Sequence, residues 1–297
     1  MASVVGSETT TPIPAWTTVQ ATTLAAHLPT GLSREVAIVV GTRVIVYGGF
    51  SSSGSTTNAI LAFDPGAGTI TRIGALAVPV HDAAGVALGG GSWIFGGGNS
   101  AVVSAVQRID AGAVGSVVGH LPAARADLSA VSIGASAFVI AGGVSGALDR
   151  RVLATEDGAH FRVVATLLQG VRYAAVAEAG GLIYVIGGVG AGGDRTDIQR
   201  VDPATGAVDL IGQMPNPISH ASAIARDGRI LVIGGRSAGK PQDAIWQVVV
   251  GTGATRPVGR LPRPLSDFAI AEDAGTIYVI GGETSTQVAS IVSLVLQ

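Results

Sequence analysis

The chain has 297 residues, of which 47% are hydrophobic, 13% are charged and 44 are glycine, with a formal net charge of −2 and no cysteine. The missing cysteines exclude disulfides, thiolate metal sites and cysteine nucleophiles, and the absence of any basic run or basic–aromatic interleaving argues against a nucleic-acid partner. The mean hydropathy of +0.51 belongs to a core and not to a bilayer, because Gly, charge or a turn interrupts every apolar run well short of the roughly 20 residues a span requires.

Residues 1–15 are rich in Thr and Pro and read as a flexible leader. They lack the basic and apolar regions of a signal peptide, which leaves extracytoplasmic and cytoplasmic locations both open. A first strand is expected over Thr17–Leu24, running into the corner Leu28-Pro29. Strands over Val36–Val40 and Val44–Tyr47 follow and end in Gly48-Gly49. Ala59–Phe63 and Thr69–Ile73 come next, separated by Asp64-Pro65-Gly66-Ala67-Gly68, whose residues supply the fixed and positive φ values of a tight turn. Asp202-Pro203-Ala204-Thr205-Gly206 repeats that turn, and Leu121-Pro122, Met214-Pro215 and Leu261-Pro262 repeat the corner, where Pro ends a ladder by removing a donor.

The strand ending in Gly-Gly recurs six times, with the first glycine of each pair at 48, 96, 142, 187, 234 and 281. The intervals of 48, 46, 45, 47 and 47 match the length of a four-stranded propeller blade. After the last pair one strand remains, Ala289–Leu296, so the last blade is one strand short, while Thr17–Leu24 is one strand to spare. The expected architecture is all-β: a six-bladed β-propeller of four-stranded antiparallel blades over residues 16–297. Its last blade is closed by the N-terminal strand, which hides two open edges.

The paired Gly after an apolar strand, the Asp-Pro-x-x-Gly turn and the Leu-Pro corner make the sequence resemble the kelch-repeat propellers over nearly its whole length. It departs from them where kelch repeats carry Tyr and Trp. Those places hold Phe63, Ile109, Val201 or Leu294, and Ile70, Phe161 or Val208, which makes the core more aliphatic. Relatives in that family include sugar-acid mutarotases, copper radical oxidases and iron-dependent specifier proteins. The oxidases need a Tyr–Cys crosslink, which a chain without Cys does not make, and no Glu here starts the E-x-x-x-D-x-x-x-H iron motif of the specifier proteins.

Two motif matches are accidents of Gly-rich loops. Gly188–Gly193 fits G-x-G-x-x-G and Gly235–Gly239 fits G-x-S-x-G, yet both chemistries need a helix to follow. Asp194-Arg195-Thr196-Asp197 leads into a strand instead, and Lys240-Pro241 blocks a helix. His27 and His120 precede Leu-Pro corners and His160 sits in a turn, where a solvated residue is the plain reading.

In a propeller the segments entering the innermost strands converge on one mouth of the central channel, with the loops that follow Gly-Gly. Counting back 14 or 15 residues from each first glycine gives Arg34, His81, Asp127, Arg172, His220 and Asp267, with Glu35, Asp82, Arg125 and Tyr173 as neighbours. Two roles stay open for them. They pin adjacent blades, as the Arg and His of kelch repeats commonly do here, or they contact a ligand. A ligand would be a small polar or acidic molecule, such as a sugar acid, or a protein loop, since Arg forks suit carboxylates and Asp and Glu accept from hydroxyls. The expectation is a monomeric, non-catalytic binding module without cofactor or metal. The alternative is a mutarotase-type enzyme using an acid and a base of the same mouth.

Overall fold

The computed structural model describes residues 16–110, 114–144 and 147–297, so the expected leader lies outside the described residues. Among the described residues all regular secondary structure is β, and none of them forms a helix long and apolar enough to cross a membrane.

The strands form six consecutive antiparallel sets. The first runs Val36–Val40, Arg43–Tyr47, Ala59–Asp64, Thr69–Ala75 in spatial as in chain order, with Val36 opposite Tyr47 and Val44 opposite Phe63. The same order recurs from Ala84–Leu88, Ser129–Ile133, Ala175–Ala179 and Ser222–Arg226. In the last set, Ala269–Asp273, Thr276–Ile280 and Val288–Leu296 are joined by the N-terminal strand Val19–Ser33, with Val19 opposite Leu296 and Thr23 opposite Val292. That strand is longer than the sequence indicates, because it continues past the Leu28-Pro29 corner, with register shifts on either side of His27, to pair Leu32 with Ser51.

The sets are not all separate sheets. A single parallel contact, Val19 with Gly259, joins the last two sets into one ten-stranded sheet. Gly259 permits it: a Cβ there would stand 2.7 Å from the Val19 carbonyl oxygen.

Burial explains why the sets stack. Among the described residues the core falls into six apolar clusters, each between two neighbouring sets. Ile38, Ile45 and Ile60 of the first pack on Leu76, Val80 and Ile94 of the second, and Tyr184 and Ile198 of the fourth pack on Ile230 and Val248 of the fifth. The series is cyclic, because Tyr278, Ile280 and Ile291 of the last set pack on Val44, Val46 and Phe63 of the first, together with Leu28 and Leu32. Each sheet is therefore apolar on both faces, which is why its inner strands read as near-continuous Val/Ile/Ala runs instead of alternating. The Leu-Pro corners serve this packing: Leu28, Leu121, Met214 and Leu261 are buried, and the prolines after them are exposed.

The two glycine motifs lie in β-hairpins. Val189–Gly190 folds back on Gly193–Val201 and Arg236–Ser237 on Lys240–Val249, so neither presents a helix N-terminus to a phosphate or a nucleophile.

Candidate functional site

The residue two places before each inner strand has a left-handed backbone: Arg34, Asp82, Asp127, Tyr173, His220 and Asp267, with φ between 51° and 60°. Asp and His tolerate this conformation better than most residues, whereas Arg and Tyr adopt it only where their surroundings hold them there. A closed ring of main-chain hydrogen bonds does so. The N–H of Asp82 donates to the carbonyl of Arg34 (3.0 Å), Asp127 to Asp82 (3.0 Å), Tyr173 to Asp127 (2.9 Å), His220 to Tyr173 (2.9 Å), Asp267 to His220 (3.1 Å) and Arg34 to Asp267 (2.7 Å).

Each ring residue stands fourteen places before the first member of a second left-handed pair: 34 and 48, 82 and 96, 127 and 141, 173 and 187, 220 and 234, 267 and 281. In the third set that member is Ala141 (φ 62°) followed by Gly142, not Gly142 followed by Gly143. The sequence pair is displaced by one there, which is why Asp127 lies on the ring at fifteen places before Gly142, whereas the same count from Gly96 and Gly187 stops one place short of it. The second residue of every pair donates to a carbonyl ahead of the next ring position, from Gly49 to Val80 (2.8 Å) round to Gly282 to Leu32 (2.8 Å). Main-chain bonds thus join the sets and leave the ring side chains free for other contacts.

The six ring residues line one cavity of about 270 Å³, with Glu35 and the first residues of the inner strands behind them. His81 and Arg172 are one place off the ring. Both lie in extended bridges, to Gly98 and Val189, and outside the cavity wall. His81 contacts Thr56 (2.8 Å) and the edge of Phe50, and Arg172 reaches Asp127 at 3.4 Å. Arg125 is buried away from the cavity, tied to Asp149 and to the Ala141 and Arg151 carbonyls. Glu35, Asp82 and Tyr173, read as neighbours in the sequence, are part of the wall.

Two charged residues that the sequence reading did not single out lie outside the cavity wall but bond to its members. Arg236 and Glu283 each follow a left-handed pair. Arg236 donates to Asp267 (3.1 Å) and Glu283 (2.8 Å). Glu283 also accepts from Arg34 Nε (3.1 Å) and Ser33 (2.8 Å). Their position after Gly-Gly is the sequence signal that marks them. Asp267 takes the Ser266 hydroxyl (2.7 Å) and contacts His220 Nδ1 (2.6 Å), and the His220 ring stacks on Tyr173 with centroids 3.8 Å apart.

Burial divides the carboxyls. It pushes Glu35 up to about 8, against hydrogen bonds from main-chain N–H groups including that of Ala269. It also pushes Asp82 up to about 8, against the nearby Arg34 charge, and raises Asp127. Burial acts on Asp267 in the same sense, but the bonds from His220 and Ser266 and the charges of His220 and Arg34 outweigh it, and its carboxyl lies below the usual range. The Tyr173 hydroxyl is raised by burial and by Asp82 and Asp127. Burial thus holds Glu35 and Asp82 toward the protonated form, while its hydrogen bonds and neighbouring charges hold Asp267 toward the ionised one. Among the described residues no cluster of three or more His, Asp and Glu side chains is placed to hold a metal ion.

No family model matches the chain and no curated protein matches it.

Proposed function

We propose that the six sets are the blades of a six-bladed, kelch-type propeller, and that the chain is a non-catalytic binding module taking a small polar ligand at the mouth of its central channel. The closed main-chain ring from Arg34 to Asp267 carries this reading: it brings one side chain from every set to a single volume, as only a circular arrangement does. The cyclic packing of the clusters supports the propeller. A cavity of about 270 Å³ stands at the small end of ligand sites and favours a small molecule over a protein loop. The test is to titrate polar small molecules into isotope-labelled protein and follow backbone amide shifts. Binders are expected to shift the amides of Arg34, Asp82, Asp127, Tyr173, His220 and Asp267 together. Binders that shift only outer-strand amides would overturn the proposal.

The raised carboxyls of Glu35 and Asp82 favour a second reading, acid–base catalysis on a sugar acid, since a group poised near the working pH transfers protons efficiently. Exchange spectroscopy of anomer interconversion separates the two, because a binding module leaves the uncatalysed rate unchanged.

A further inference from the structure

We propose that the cleft between the Met214-Pro215 corner and Trp246 binds a small neutral molecule through a primary carboxamide. The site is separate from the channel mouth: its cavity of about 200 Å³ shares no lining residue with the cavity at the ring.

The second and fourth sets show what normally stands at this place. In the second, Gln107 Oε1 accepts from the Val78 N–H (2.9 Å) and Gln107 Nε2 donates to the Val78 carbonyl (3.0 Å). In the fourth, Gln199 makes the same two bonds to Gln169, at 2.9 and 3.0 Å. Val78 and Gln169 each lie four places before a ring residue, Asp82 and Tyr173. Gln107 and Gln199 each lie opposite the residue two places before a left-handed pair, Ile94 and Val185. In both sets a side-chain amide therefore matches the main-chain donor and acceptor of the segment that enters the set.

The same two positions in the fifth set are Asn216, four places before His220, and Trp246, opposite Val232. An indole has one N–H and no acceptor, so Trp246 cannot accept from the Asn216 N–H, and Asn216 has no partner in the strand ladder. Burial is the independent observation. The residues that correspond to Trp246 in the other sets are Leu61, Gln107, Leu153, Gln199 and Val292, and all five are buried. Trp246 is partly exposed and lines an open cavity together with Asn216. The fifth set thus has a space where the second and fourth carry their own amide.

A primary carboxamide on a ligand presents a C=O and an N–H in the relation that glutamine does. The other walls define what carries it. Met214, Pro215, Pro217 and Ile218 are apolar and Trp246 is aromatic, which suits a small ring, and the volume lies below that of ordinary drug-sized sites. Arg260 and Asp243, also at the cavity, bond each other at 2.8 Å, so neither charge calls for an ionic ligand.

The experiment adds benzamide, N,N-dimethylbenzamide or toluene to the isotope-labelled full chain and follows the Asn216 amide and the Trp246 indole N–H. Benzamide is expected to shift both signals and to bind about tenfold or more tightly than either analogue, since the dimethyl compound has no donor and toluene has neither donor nor acceptor. Trp246→Gln restores the residue of the second and fourth sets and should abolish benzamide binding, because the chain then supplies the amide itself. A Trp246→Gln protein that keeps both its melting temperature and its benzamide affinity overturns the proposal. Equal binding of benzamide and N,N-dimethylbenzamide by the unaltered chain also overturns it, and depends on no variant folding. Benzamide that leaves the Asn216 and Trp246 signals unmoved overturns it as well.

Discussion

The main-chain N–H of Arg34 donates to the carbonyl of Asp267 at 2.7 Å, joining the start of the first inner strand to the start of the last. This bond closes a ring whose other five bonds each join consecutive sets, so it depends on the two ends of the chain meeting. Their meeting is secured further out, where Val19–Ser33 pairs with Val288–Leu296. Removing residues 1–12 leaves every described contact in place and should not change the melting temperature. Removing residues 1–26 bares the edge of Val288–Leu296 and takes Trp16 and Val19 out of their cluster. Loss of soluble monomer on size-exclusion chromatography is expected, and a folded product of unchanged melting temperature would refute the closure.

Gly188 has φ 93°, and a Cβ there would lie 2.9 Å from the Arg172 carbonyl oxygen and 3.0 Å from Val171 Cβ. Gly188→Val should cost roughly 2–4 kcal/mol, from backbone strain and the clash together, measured by denaturant unfolding. Ala141→Gly, by contrast, should change stability by no more than about 1 kcal/mol, because losing a methyl group is offset by relief at φ 62°. A large loss at Ala141 would count against its equivalence with Gly187.

Stability should fall as pH rises from about 4.5 to about 8, the interval over which Glu35 ionises in the unfolded chain but stays protonated in the folded one. Because its folded pKa is raised, its contribution is complete below the unfolded value and is lost as pH climbs through the folded one. Asp82 acts in the same direction. Glu35→Gln should flatten the slope by up to about 1.4 kcal/mol per pH unit. Asp267, held low, works oppositely and only in acid. Denaturant midpoints across this range that are parallel in wild type and Glu35→Gln would show Glu35 ionised in the fold.

Arg236 and Glu283 bond at 2.8 Å, and Arg236 also donates to Asp267 while Glu283 also accepts from Arg34. Arg236→Ala should cost about 1–3 kcal/mol by leaving the buried Asp267 carboxylate short of a donor. Adding Glu283→Ala should cost less than the two single losses together, since each removes the other's partner. Strict additivity in this double-mutant cycle would mean that the pair is not coupled.

The sequence by itself determined the strand order, the sixfold period and the contribution of both chain ends to one strand set. Those features rest on local chemistry: short β-branched runs, Gly where φ is positive, Pro where a ladder ends. It also placed the cavity wall to within one residue, and Arg34, Asp127, His220 and Asp267 were legible directly. Only the tertiary structure decided between His81 and Asp82, and between Arg172 and Tyr173. A shift of one place in extended chain sends a side chain to the opposite face, and the left-handed backbone that fixes the choice is held by hydrogen bonds between sets far apart in sequence. Ala141 hid the third pair for the same reason, since an alanine reaches φ 62° only where packing and bonding hold it there. The partners of the charges were equally unreadable. Arg34 finds Glu283, Arg236 finds Asp267, and Arg125 turns away to Asp149, because the free energy of a buried charge depends on which distant groups folding brings beside it.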